Sequence, residues 1–77
     1  MYYAQKYPHG RDVRSAHTGE EIVEIYGYPT IEERHEAVLS YRAPNHCPQA
    51  DLVCVKADNP NVRRAKRHDC IIYPEDE

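Results

Sequence analysis

Five thiolate or imidazole groups fall within residues 46–70: His46, Cys47, Cys54, His68 and Cys70. These are the donor types that hold zinc in a tetrahedral array. Their spacing argues against a centre, because the chain has no C-x-x-C and no H-x-x-x-H pair. Cys54 and Cys70 also sit inside β-branched runs, where a thiol serves as a small buried apolar side chain. Neither metal nor cofactor is expected. A Cys47 nucleophile with His46 or His35 as base would need a cationic neighbour and a third group to orient the base. No flanking motif supplies one, so the chain reads as non-enzymatic. The carboxylates Glu33 and Glu36 read as a solvated helix face rather than an acid–base pair.

Charge is the stronger signal. The net charge of −3 conceals a segregated map. Residues 15–37 carry −5, from Glu20, Glu21, Glu24, Glu32, Glu33 and Glu36 against Arg34. Residues 63–70 carry +3, led by Arg63, Arg64, Lys66 and Arg67. The acidic run suits a basic surface on a protein partner. The basic cluster suits phosphates, with affinity that falls as salt rises. Glu75-Asp76-Glu77 and the acidic helix are available as its counter-charges. Tyr26 and Tyr28 lie inside the acidic stretch, and tyrosine is favoured at protein–protein contacts. About half of the seven tyrosines are expected inside.

The elements that position these groups follow from pattern. Met1–Tyr7 is Tyr-rich and loosely alternating, which predicts a strand ended by Pro8-His9-Gly10. Residues 9–19 read as a loop or a ragged strand around Val13. Residues 21–28 allow two readings. Thr18-x-x-Glu21 fits a capping box, whereas Ile22, Val23, Ile25, Tyr26 and Tyr28 favour a strand. The strand is preferred.

Thr30-Ile31-Glu32-Glu33 opens a helix over about residues 30–42, which Pro44 ends. Ile31, His35, Val38 and Leu39 share one face at helical spacing and are expected to pack on the sheet. Leu52-Val53-Cys54-Val55 reads as a strand, apolar on both faces and therefore central. Asn59 caps a short basic helix with Pro60 at its first position. Cys70–Tyr73 reads as a last strand, and residues 74–77 are expected to fray.

The expected fold is a single α+β domain over residues 1–77, in the order β-β-α-β-(short α)-β. It has a mostly antiparallel sheet of three to four strands, with one main helix on one face. The core must be small. Ile, Leu and Val make only 13 residues, and Phe and Trp are absent. Such a domain has marginal stability alone, and a monomer or a homodimer is expected. No apolar run approaches the ~20 residues of a membrane span. The opening Met1–Lys6 lacks the apolar segment of a leader, and the odd cysteine count argues against a disulfide framework. A reduced, cytoplasmic chain is the expectation.

Tyr7-Pro8-His9-Gly10-Arg11-Asp12-Val13-Arg14, Thr18-Gly19-Glu20, Tyr26-Gly27-Tyr28-Pro29-Thr30 and Glu33-Arg34 together resemble the opening half of short uncharacterised bacterial and prophage proteins. The likeness covers about residues 3–38 and implies a start in which sheet precedes helix. In size, charge and lack of a catalytic motif, the chain is also similar to phage-encoded inhibitors of host defence, anti-CRISPR proteins among them. That similarity implies an inhibitor, and it assigns no role to any residue. The expected function is thus a protein-binding module that docks on a nucleic-acid-processing complex and blocks its basic surface. Glu20, Glu21, Glu24, Glu32, Glu33 and Glu36, with Tyr26 and Tyr28, would make the contact. The alternative is a small nucleic-acid-binding regulator using Arg63, Arg64, Lys66 and Arg67.

Overall fold

A computed structural model describes residues 1–74. It is a small α+β fold with the order β1 (Tyr2–Tyr7), β2 (Glu24–Tyr28), α1 (Ile31–Ser40), β3 (Asp51–Val55) and α2 (Pro60–Arg67). The three strands form one antiparallel sheet in the order β2-β1-β3.

The strand at Tyr2–Tyr7 lies where its pattern predicts, and it is the central one. Tyr3 pairs with Gly27 on one side and Val55 on the other, and Ala4 pairs with Tyr26 and Cys54. Successive side chains of a strand point to opposite faces. Tyr3 therefore joins Ile25, Val62 and Ala65 under α2, with Val23, Val55 and Ile71 packed around them. Ala4 joins Tyr28 and Leu52 under α1, with Tyr26, Ala37, Val38 and Tyr41 against them. The sheet thus has α1, the expected main helix, on one face and the short α2 on the other.

β3 lies at the sheet edge rather than at its centre. Its apolar residues turn to opposite faces of the sheet, Leu52 into the cluster under α1 and Val55 against the cluster under α2. That position also places Cys54 at the rim, where it is exposed. Cys70 is exposed as well, and Cys47, in the loop before β3, is the buried thiol. The expectation of Cys54 and Cys70 as buried apolar side chains is therefore corrected.

The expected fourth strand over Cys70–Tyr73 reduces to one parallel bridge, Ile72 with Tyr26. Ile72 gives its N–H to Ile25 and takes one from Gly27, both at 2.8 Å. Its neighbours are otherwise committed. The Cys70 N–H closes the end of α2 on the Ala65 carbonyl, and Pro74 has no N–H to offer. The frayed tail expected over residues 74–77 lies, from residue 75 onward, outside the described residues.

α1 opens as its sequence predicts, with the Thr30 hydroxyl accepting the Glu33 N–H at 3.2 Å. It ends two residues short of the expected boundary. Tyr41 turns extended, with φ −62° and ψ 134°, and so lays its ring against the sheet. α2 forms as read, with Asn59 accepting the Asn61 N–H and Pro60 at the first position. Residues 13–22 make a ragged hairpin with an isolated Arg14–Glu21 bridge, and the segment after Thr18 is no helix.

Candidate functional site: the charged faces of α1 and α2

The acidic run divides into two groups. The Glu20 carboxylate lies 3.1 Å from Arg64, Glu21 lies 4.0 Å from Arg14, and Glu24 lies 3.8 Å from Lys6. Each is partly exposed, so each pair contributes little stability, at most about 1 kcal/mol. What the pairs do is cancel charge locally. The hairpin over residues 13–22 brings Glu20 to α2, and so joins the acidic segment to the basic one.

Glu32, Glu33 and Glu36 form the second group. They lie on α1, and no cation meets them in a salt bridge among the described residues. Glu32 and Glu36 are exposed and Glu33 is half-buried. The helix beneath them is loosely seated, because none of its residues is buried. Three buried polar atoms without a hydrogen-bond partner belong to α1 and its cap: Glu33 Oε2, Arg34 Nε and the Tyr41 hydroxyl. Such groups cost about 1–3 kcal/mol each when left unmade.

The face expected to pack on the sheet does not do so as a whole. Ala37, Val38 and Tyr41 make that contact, while Ile31, His35 and Leu39 are exposed, Leu39 by 78 %. His35, Val38 and Leu39 instead line a shallow cleft with Cys54 on β3.

Tyr26 and Tyr28 are not placed on an acidic surface. Tyr28 is buried, 7 % exposed, and Tyr26 is half-buried beside it under α1. The Tyr26 hydroxyl donates to Glu24 at 3.1 Å. Burial above all, with the Glu24 charge and hydrogen bond behind it, pushes Tyr26 up to about 12. Burial alone raises Tyr28. The Lys6 ammonium stands 5.9 Å from the ring centres of both Tyr26 and Tyr41, a cation–π arrangement that closes the end of the sheet.

On the other side of the molecule, α2 buries Val62 and Ala65 and turns its cations outward. Arg64 is taken by Glu20 and by the Asn61 side chain. Arg63 and Arg67 flank a shallow concavity with Pro60, and Lys66 stands over the Tyr3 ring at 5.1 Å. No carboxylate pairs with Arg63, Lys66 or Arg67 among the described residues. Counter-charge from Glu75-Asp76-Glu77 lies outside those residues.

No group of three or more His, Cys, Asp or Glu side chains is placed to hold a metal among the described residues. The Cys47 Sγ donates to the Pro8 carbonyl at 2.7 Å, which fastens the loop before β3 to the end of β1. No helix among the described residues is long and apolar enough to cross a membrane.

Sequence reasoning singled out the acidic helix and the basic helix. It missed the partners that divide the acids. Their signal is faint, since Glu20 and Arg64 stand 44 positions apart. No protein-family model, curated protein or solved structure matches the chain.

Proposed function

We propose that the protein is a non-enzymatic binding module that docks on a basic protein surface through the outer face of α1. The observation that carries this reading is the division of the acidic run. Cations neutralise Glu20, Glu21 and Glu24, whereas Glu32 and Glu36 stand exposed and unpaired on one loosely seated helix, with Glu33 half-buried beside them. Unpaired carboxylates steer association toward positive potential and fix register on it. A basic groove that processes nucleic acid is such a target, and occupying it blocks it. The similarity to phage-encoded inhibitors supports the same reading, as does the sealed Cys47 thiol, which has a structural role in the β1 end. The module acts in the cytoplasm, where such complexes reside.

The test uses the tagged chain as bait in a native lysate, with Glu36→Lys and Arg63→Glu/Arg67→Glu beside the wild type. Basic nucleic-acid-binding proteins retained by the wild type should be lost with Glu36→Lys and kept with the α2 variant. Their retention by Glu36→Lys overturns the reading.

A second reading rests on α2. Arg63, Lys66 and Arg67 present outward cations with no paired carboxylate among the described residues, which suits the phosphates of a nucleic acid. A salt-sensitive shift of duplex DNA, abolished by Arg63→Glu/Arg67→Glu, supports it. Absence of binding at low salt removes it.

A further inference from the structure

We infer that the outer edge of β3 is the self-association surface of this protein, with a second copy as its occupant. The geometry starts from the sheet. The open edge of β2 is met by Ile72. The outer edge of β3 pairs with no strand among the described residues. An edge strand is normally blunted by proline, by lysine or by an inward charge. Asp51-Leu52-Val53-Cys54-Val55 contains none of these between Leu52 and Val55.

The neighbouring helix offers the same answer. Ile31, His35, Val38 and Leu39 recur at i, i+4, i+7 and i+8, and this flank faces the β3 side. His35, Val38 and Leu39 line the cleft with Cys54. Ala37, Ser40 and Tyr41 turn the other way, toward Tyr26 and Tyr28. The apolar flank therefore runs beside the open edge, and Leu39, its most exposed member, is 78 % exposed.

Charge decides the occupant. Glu32 is in the first turn of α1, and Arg42 folds back on the last turn, donating to the Leu39 and Tyr41 carbonyls. Neither has an oppositely charged partner among the described residues. A two-fold axis through an antiparallel β3–β3 pair reverses α1 in the second copy. Glu32 of one copy then meets Arg42 of the other, twice, as an isologous interface requires. The flank is complementary to itself.

Pairing centred on Val53 makes a six-stranded sheet in the order β2-β1-β3-β3-β1-β2, with both α1 helices on one face and both α2 helices on the other. A stable interface needs at least about 600 Å² from each copy, roughly a ninth of the 5418 Å² surface. Five paired residues and the α1 flank are the material for it. Glu32 is taken into the interface, and Glu36 stays on the outer side of α1, so each dimer presents two docking faces that rest on Glu36. The dimer stands independently of that docking role, because it is measured on the purified chain alone.

The test is the solution mass of the full chain by light scattering across the micromolar to millimolar range. The expected result is a species of twice 9.0 kDa. Leu39→Glu should weaken self-association by at least about tenfold, with an unchanged far-ultraviolet dichroism spectrum because the side chain is exposed. Glu32→Arg and Arg42→Glu should each weaken it, and the double exchange should restore it. A chain that stays at 9.0 kDa throughout overturns the inference. So does a dimer that survives Leu39→Glu, or a double exchange that fails to restore what the single changes lose.

Discussion

The Asn61 side-chain amide donates to the Oε1 of Gln5 at 2.8 Å, which stitches α2 to the central strand. Gln5 is buried, and its own amide N–H donates to the Tyr7 hydroxyl. The sheet face under α2 is therefore not wholly apolar. A short polar chain fixes which residue of α2 stands over which residue of β1. A buried acceptor that loses its donor costs about 1–3 kcal/mol, whereas removing both partners together costs less. Asn61→Leu should lower the urea-unfolding free energy by about that amount, and Gln5→Leu/Asn61→Leu should recover part of it. A single variant as stable as the wild type would show that the bond contributes nothing.

Gly27 is where the C-terminal segment crosses β2. A Cβ there would stand 2.7 Å from the Tyr73 ring and 3.3 Å from Ile71. Overpacking of this kind costs about 1–3 kcal/mol. Gly27→Ala should destabilise by that order in urea. Tyr73→Ala in the same chain should relieve most of the clash, because the nearest atoms belong to that ring. Additive effects of the two changes would contradict the crossing.

Asp69 ends α2 in the left-handed region, at φ 52°. The Cys70 N–H reaches the Ala65 carbonyl and the Asp69 N–H reaches that of Lys66, the two bonds of a Schellman closure. That position favours glycine, and a carboxylate there also opposes the helix dipole. Asp69→Gly should raise stability by about 1 kcal/mol, read as an upward shift of the urea midpoint. A lower midpoint would contradict the strain.

Tyr26 supplies the pH dependence. In the folded chain its pKa is raised from 10.0 to about 12, chiefly by burial and then by Glu24. Above pH 10 the unfolded chain gives up this proton while the folded chain keeps it, so stability falls as pH rises. The contribution is complete below pH 10 and is lost as pH climbs toward 12. Tyr28 acts in the same direction. Tyrosinate absorbance should show a delayed titration that moves lower in Glu24→Gln. No movement would show that Glu24 plays no part.

Much of this architecture is legible in the chain itself. Thr30 and Asn59 announce both helix starts, because a capping side chain acts within three residues of its position. The strand at β1 and the basic α2 follow from local pattern for the same reason. What the sequence hides is long-range. An apolar run such as Leu52–Val55 looks the same whether strands or helices flank it, so its edge position is invisible. Cys70–Tyr73 has strand composition, yet the α2 closure and Pro74 leave only Ile72 to pair. The Ile31–Leu39 stripe is real but turns toward an open edge, which periodicity alone does not distinguish from a core. The acidic cluster shrinks for a similar reason, since Glu20 meets Arg64 only after the hairpin and α2 are in place.

Docking through the unpaired carboxylates of α1 is the central claim. The most direct test is the protein set that the wild-type chain captures from a native lysate, compared with that of Glu36→Lys, with folding of both confirmed by dichroism. Basic nucleic-acid-binding proteins are expected with the wild type, released by rising salt, and lost with Glu36→Lys. Capture of the same proteins by Glu36→Lys, or capture insensitive to salt, would contradict that claim.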